Sequence, residues 1–368
     1  MHTSSRLGLI ALLTTGAMAQ EAVNLDAVDS VAAAAPAPKH HGGMRMGDVS
    51  VGLFFDGYLE YKRPSDSQIK RTLEFGQQHQ SLLARAATPE GIVVFADVIH
   101  WENVFEATVP FHFFVPAVKD IPGLDKGSIR FGRILIPFGD FAGHPIYGGS
   151  VVNSEIIRNQ FWSDYGASVK LPFGDKVETE IYVVNGIQAV GDSSVRIAST
   201  YESNLSKAVG ARLKIFPTPG TFVTFSGYQD YLNTPAGTHE DSAWAITTTM
   251  AGLDAGVRTG PVSFKAGGMV ARSGSKGFHD YLISGWYAES RYRLNDIWSL
   301  RLRGGQVDPD NRVKNDDDQT NVNASVLWQK GPLDVGLTWY HNLETHWMTK
   351  KTAPMNGERI RLETFVSI

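Results

Sequence analysis

Residues 281–308 read YLISGWYAESRYRLNDIWSLRLRGGQVD, and their alternation decides the fold. In 281–295 one set of alternating positions is Leu282, Trp286, Ala288, Tyr292 and Leu294. The other set is Tyr287, Glu289, Arg291 and Arg293. Beyond the turn RLNDIW the alternation restarts, with Trp298, Leu300 and Leu302 against Ser299, Arg301 and Arg303. Successive side chains of a strand leave opposite faces, so period two predicts strands with one apolar and one polar face. The same pattern sets Val322, Ala324, Val326 and Trp328 against Asn321, Asn323, Ser325 and Gln329. It then sets Leu333, Val335, Leu337 and Trp339 against Asp334, Gly336, Thr338 and Tyr340.

Working outward, the connections alternate between tight and long. Tight turns stand at 171–177 (LPFGDKV), 216–221 (FPTPGT), 258–261 (RTGP), 293–298 and 329–332 (QKGP), with long polar loops such as 307–319 between them. Short turns on one side and long loops on the other are the layout of an outer-membrane barrel. Strands are expected at 47–62, 68–84, 90–100, 102–115, 127–138, 161–173, 176–188 and 204–216. Further strands are expected at 221–233, 242–258, 262–274, 281–295, 298–308, 319–330, 333–345 and 356–368. The fold class is therefore all-β, a transmembrane antiparallel β-barrel of about 16 strands. The hairpin near Trp101 carries neither Gly nor Pro, and misreading 90–115 would leave fourteen. A water-soluble sandwich also alternates. Its outer face would carry many Lys and Glu, whereas the polar face here holds Gly, Ser, Asn, Arg and Tyr. Trp286, Tyr292, Trp298, Trp328 and Trp339 on the apolar face match membrane-interface aromatics facing lipid.

The ends of the chain fit the same compartment. Arg6, the apolar stretch 7–18 and the Ala17-Met18-Ala19 site form a secretory signal peptide over 1–19. Residues 20–46, Ala/Pro-rich and then His40-His41-Gly42-Gly43, read as a flexible periplasmic leader, and 47–368 as the barrel. Adjacent histidines in a tail lack fixed ligand geometry, so no metal site is assigned. Loss of Arg6 takes Lys and Arg from 34 to 33 against 38 acidic residues, a mild acidity that argues against nucleic acid as a partner. No stretch after residue 19 has the length of apolar residues a membrane helix needs, so a bilayer would have to be crossed by strands. The last strand places Ile360, Leu362, Thr364, Val366 and Ile368 on one face. It is similar to the terminal strand read by the barrel assembly machinery, although it ends on Ile368 rather than an aromatic.

Between 127 and 186, about one sixth of the chain, stand Gly132-Arg133, Pro137-Phe138-Gly139, then Trp162, Asp164 and Gly166, then Tyr182 and Asn185-Gly186. These residues resemble the outer-membrane porin superfamily that includes the phosphate-selective porins O and P. The resemblance implies a water-filled channel for passive diffusion of small hydrophilic solutes, often trimeric, in the bacterial outer membrane. Siderophore-uptake porins with a similar strand are a sibling group, which keeps substrate-specific uptake of siderophore or phosphate open as an alternative.

Strand parity puts Arg212, Lys214, Arg258, Lys265, Arg291, Arg293, Arg301, Arg303, Arg359 and Arg361 on the inward face, against Asp254, Glu289 and Glu363. Basic rings in a lumen favour anions. The alternative is that these cations pair with the acids or snorkel at the rim. The loop 140–161 is the third long one and has the composition of a segment folded into the pore. Asp140, His144, Glu155, Arg158 and Asp164 are its candidate constriction residues. Acidic loops around Asp308–Asp318 and at Glu240 and Asp241 suit cations bridging lipopolysaccharide, or simple solvation. No G-x-S-x-G, Walker A or H-E-x-x-H sequence occurs, so no catalytic residue and no cofactor is expected. A non-conducting barrel acting as an enzyme or adhesin remains the other class.

Overall fold

A computed structural model describes residues 44–46, 49–64, 70–76, 80–99, 103–121, 124–139, 163–190, 194–197, 207–233, 245–275, 281–308, 311, 319–331, 333–344 and 357–367. Its strands are β1 (Met44–Met46), β2 (Val49–Pro64), β3 (Thr72–Gly76), β4 (Gln80–Ala87), β5 (Val93–Ile99), β6 (Asn103–Pro110) and β7 (Ser128–Leu135). Next come β8 (Ser163–Phe173), β9 (Val177–Val184), β10 (Ile187–Val190), β11 (Ser194–Ile197), β12 (Ala208–Ile215) and β13 (Thr221–Asn233). The chain continues through β14 (Ala245–Thr259), β15 (Val262–Ser275), β16 (Tyr281–Arg293) and β17 (Trp298–Asp308). It ends with β18 (Gln319–Lys330), β19 (Leu333–Glu344) and β20 (Gly357–Ser367).

One antiparallel sheet holds 18 of these segments. β3 and β4 both pair with β2, at 58–62 and 49–55, and so make one interrupted crossing. β1 is a three-residue strand that folds back antiparallel on the start of β2, Met46 opposite Val49. Eighteen segments less β1, with β3 and β4 counted once, leave sixteen crossings. Each pairs with the next, and β20 returns to pair with β2 over 54–64, so the ladder runs round a ring. Closure satisfies the backbone groups that an open edge would leave bare. β10 and β11 form a separate hairpin on the long-loop side of β9 and β12.

The tight turns have identifiable chemistry. Gly174, Gly220, Gly260 and Gly331 sit at φ between +55 and +80, the left-handed region where a Cβ is strained. The glycine-free turn at 294–297 instead uses Asn295, whose Oδ1 accepts the Ile297 and Trp298 amides at 2.9 Å. The strand expected to reach 115 stops at Pro110. Three short 3-10 turns follow, Phe111–Phe113, Pro116–Asp120 and Leu124–Lys126. Proline at 110 and 116 removes ladder donors there, and Phe113 and Phe114 are both exposed, which no strand alternation permits.

Burial is inside out relative to a water-soluble protein. The buried wall face holds Glu60, Asp164, Glu180, Thr224, Asn323 and Thr338. The exposed face holds Leu253, Phe264, Val270, Trp286, Leu302, Leu337, Ile360 and Leu362. Water would penalise so much contiguous apolar surface, whereas lipid selects for it. Among the described residues no helix is long and apolar enough to cross a membrane.

Candidate functional site

The chemistry is on the inner wall, where strand register lines up side chains from many strands. One row of directly opposed residues runs Glu60, Arg361, Thr338, Ser325, Arg301, Arg291, Ser263 and Arg258 from β2 through β20 to β14. The next row runs Lys62, Arg359, Tyr340, Asn323, Arg303, Glu289, Lys265 and Gly256. Strand period and ladder register together therefore build a two-deep basic band over nearly half the ring.

The members of this band differ in depth. Arg303 is 1% exposed and its Nε lies 3.2 Å from Glu289 Oε2, with Arg301 Nε at 3.9 Å from the same oxygen. Arg361 donates to Glu60 at 2.6 Å and to Glu363 at 3.0 Å, with its guanidinium 4.5 Å from the Tyr58 ring. Arg359 lies 5.4 Å over Tyr340. Arg291 is half-buried, donating to Ser299 at 3.2 Å and to Gln329 at 2.8 Å. Lys265 is buried and Arg258 half-buried. Lys214 stands 4.8 Å over Phe222, and Arg293 is exposed beside the turn that ends β16.

The opposite wall, β6 to β12, is charge-balanced. Arg130 pairs with Glu180 and lies 3.5 Å from Glu106. Arg212 reaches Glu180 at 3.1 Å and Glu178 at 3.4 Å, and Lys170 pairs with Glu178 at 2.8 Å. Ser168 completes the cluster, donating to Glu180 at 2.8 Å. Parity applied to the late strands missed these early-strand acids and Lys62, Arg130 and Lys170. The same parity in LEYK, where Glu60 and Lys62 alternate with Leu59 and Tyr61, is the signal that finds two of them.

A chain segment also enters the ring. The β6–β7 ladder stops at Glu106 opposite Gly132, whose φ is +116 and whose Cβ position would collide with the Phe105 carbonyl. Past that bend β7 stays paired with β8 through Leu135, 136–139 run inward, and Ile134, Ile136 and Phe138 pack with Tyr182, Val184, Ala208, Tyr228, Met250 and Met269. Asp164 belongs to the wall, on β8, buried and accepting the Gly186 amide at 2.6 Å. The motif residues Gly132, Pro137-Phe138-Gly139, Asp164, Tyr182 and Gly186 thus gather at one place inside the ring. Asp140, His144, Glu155 and Arg158 lie outside the described residues.

On the outer face Trp286, Tyr292, Trp298 and Trp339 are exposed, and Trp328 is half-buried opposite Trp298. No group of three metal-ligating side chains occurs among the described residues.

No family model and no curated protein matches the sequence. Solved structures do match. The anion-selective porin of Comamonas acidovorans superposes with a TM-score of 0.60 at 10% identity, covering 87% of this chain and 99% of that one. In-vitro folded OmpT of Vibrio cholerae, in its trimer form, gives 0.55 at 10%, covering 88% and 100%. Salmonella typhi OmpF, solved with daunomycin, gives 0.58 at 9%, covering 87% and 97%. The chain has the fold of the outer-membrane porin barrels.

Proposed function

We propose that this chain is an outer-membrane porin, a water-filled channel for passive diffusion of small hydrophilic solutes with a preference for anions. The observation that carries the reading is the inward basic band of Arg258, Arg291, Arg301, Arg303, Arg359, Arg361 and Lys265 behind an apolar outer face. Anions entering such a lumen meet a field focused by the low-dielectric wall. The anion-selective porin among the structural neighbours supports the same direction. Loop 140–161 is proposed to continue the inward course begun at 136–139 and narrow the pore.

Self-association is part of the proposal. The outer face of β3 is the surface proposed for it. There Phe75 is 84% and Leu73 67% exposed, and among the described residues β3 pairs with β2 alone. A second and third copy covering this patch would bury both side chains, in keeping with the trimer form of a structural neighbour. Purified protein in planar bilayers under a salt gradient tests the channel. Stable conductance with an anion-directed reversal potential is expected. Cation-directed potentials would remove the anion preference, and absence of conductance after verified insertion would remove the porin reading.

A further inference from the structure

Phe138 lies inside the ring but belongs to no strand of it. It is 2% exposed and faces the inner wall at Gly252 of β14. A Cβ built on Gly252 would stand 3.0 Å from the Phe138 Cε1 and 3.1 Å from its Cζ, so the ring occupies the space a side chain would fill. One residue further, Gly139 turns at φ +75 and its amide donates to Ser226 Oγ of β13 at 2.8 Å. Met250 and Met269, inward neighbours on β14 and β15, belong to the same buried apolar cluster. Most of the rest of the inner wall is charged or hydroxylated, which makes this patch the place where an apolar ring loses least by leaving water.

We infer that Phe138 is the residue that positions the inward-running segment, that Gly252 is its socket, and that the pair sets how far the segment stands into the lumen. The inference rests on the channel reading above. The missing side chain at Gly252 lets the ring edge, Cε1 and Cζ, come up against β14. A bulkier residue there must push the ring, and the backbone carrying it, toward the pore axis. Removing the ring makes room for that bulk again. The two changes therefore compensate, which a general loss of packing would not do.

The test is single-channel conductance in planar bilayers for wild type, Gly252→Val, Phe138→Ala and the double variant, each first shown to assemble by heat-shifted gel mobility. Gly252→Val is expected to lower conductance, and adding Phe138→Ala is expected to return it toward the wild-type value. Leu253→Ala, the outward-facing neighbour, is expected to leave conductance unchanged. If Gly252→Val does not assemble, Gly252→Ala is read in the same way, with a smaller drop and the same restoration by Phe138→Ala. A conducting wild type with Gly252 variants indistinguishable from it, or a drop that Phe138→Ala does not relieve, would overturn the inference alone. A wild type that inserts without conducting would overturn the channel reading and the inference together.

Discussion

Leu302→Arg separates a lipid-facing wall from a water-facing one by magnitude. Leu302 is 54% exposed on β17, between the buried Arg301 and Arg303, and stands opposite Ser290 and Ala324 in the ladder. It lies four residues along the strand from Trp298. At about 3.4 Å per residue and a tilt near 40°, that is roughly 10 Å above the aromatic level. An apolar band about 25 Å tall then puts Leu302 close to the bilayer midplane, where arginine costs about 2–4 kcal/mol. That range is about a 30-fold to 1000-fold loss in the folding equilibrium. On a water-facing surface the same change stays within about 0.5 kcal/mol. The assay is reversible unfolding in denaturant from phospholipid vesicles, followed by tryptophan fluorescence at constant m-value. Trp298→Arg, at the interface, is the internal control and is expected to carry an arginine penalty of no more than about 1 kcal/mol. A Leu302→Arg cost below about 0.5 kcal/mol, or no greater penalty at 302 than at 298, would refute the lipid-facing assignment.

Replacing Arg258 and Arg291 together by alanine should shift the reversal potential toward cations, since both are half-buried on the inner wall; an unmoved potential would exclude them from selectivity. Arg303→Ala should chiefly destabilise, by about 3 kcal/mol, because Glu289 loses its nearer guanidinium in a buried site; the same vesicle unfolding measures it. Phe75→Asp should convert the detergent-solubilised oligomer to monomer in light scattering, and a persistent oligomer would place the contact elsewhere. Cleavage after Ala19 should leave Gln20 as the first residue by intact mass, and an envelope protein still carrying 1–19 would count against it.

The ring was legible because a transmembrane wall has only two environments and the strand samples them alternately. Trp286, Ala288 and Tyr292 against Tyr287, Glu289 and Arg291 need no tertiary knowledge to sort. Turns were legible for a local reason as well: Gly174, Gly220, Gly260 and Gly331 occupy left-handed backbone, and Asn295 substitutes a side-chain acceptor. Residues 111–115 misled because FHFFV has the composition of a strand. Prolines on either side, not composition, end the ladder there. Asp164 falls inside the strand expected at 161–173, and β8 holds it there. Its partner is the amide of Gly186, 22 positions away, which no local pattern contains.

Depth is the quantity that parity cannot supply, and it divides the basic band into two kinds of residue. Arg303 and Arg291 stand on neighbouring inward positions and read identically in the sequence. Yet Arg303 is sealed beside Glu289, while Arg291 is half-buried and hydrogen-bonded to the neutral Ser299 and Gln329. A guanidinium sealed in the wall at 1% exposure has no surface to offer a passing ion. One that reaches the lumen surface can meet a passing anion directly. Selectivity should therefore follow the half-buried cations, and stability should follow the sealed ones. Arg303→Ala that alters reversal potential without loss of stability would reverse that division.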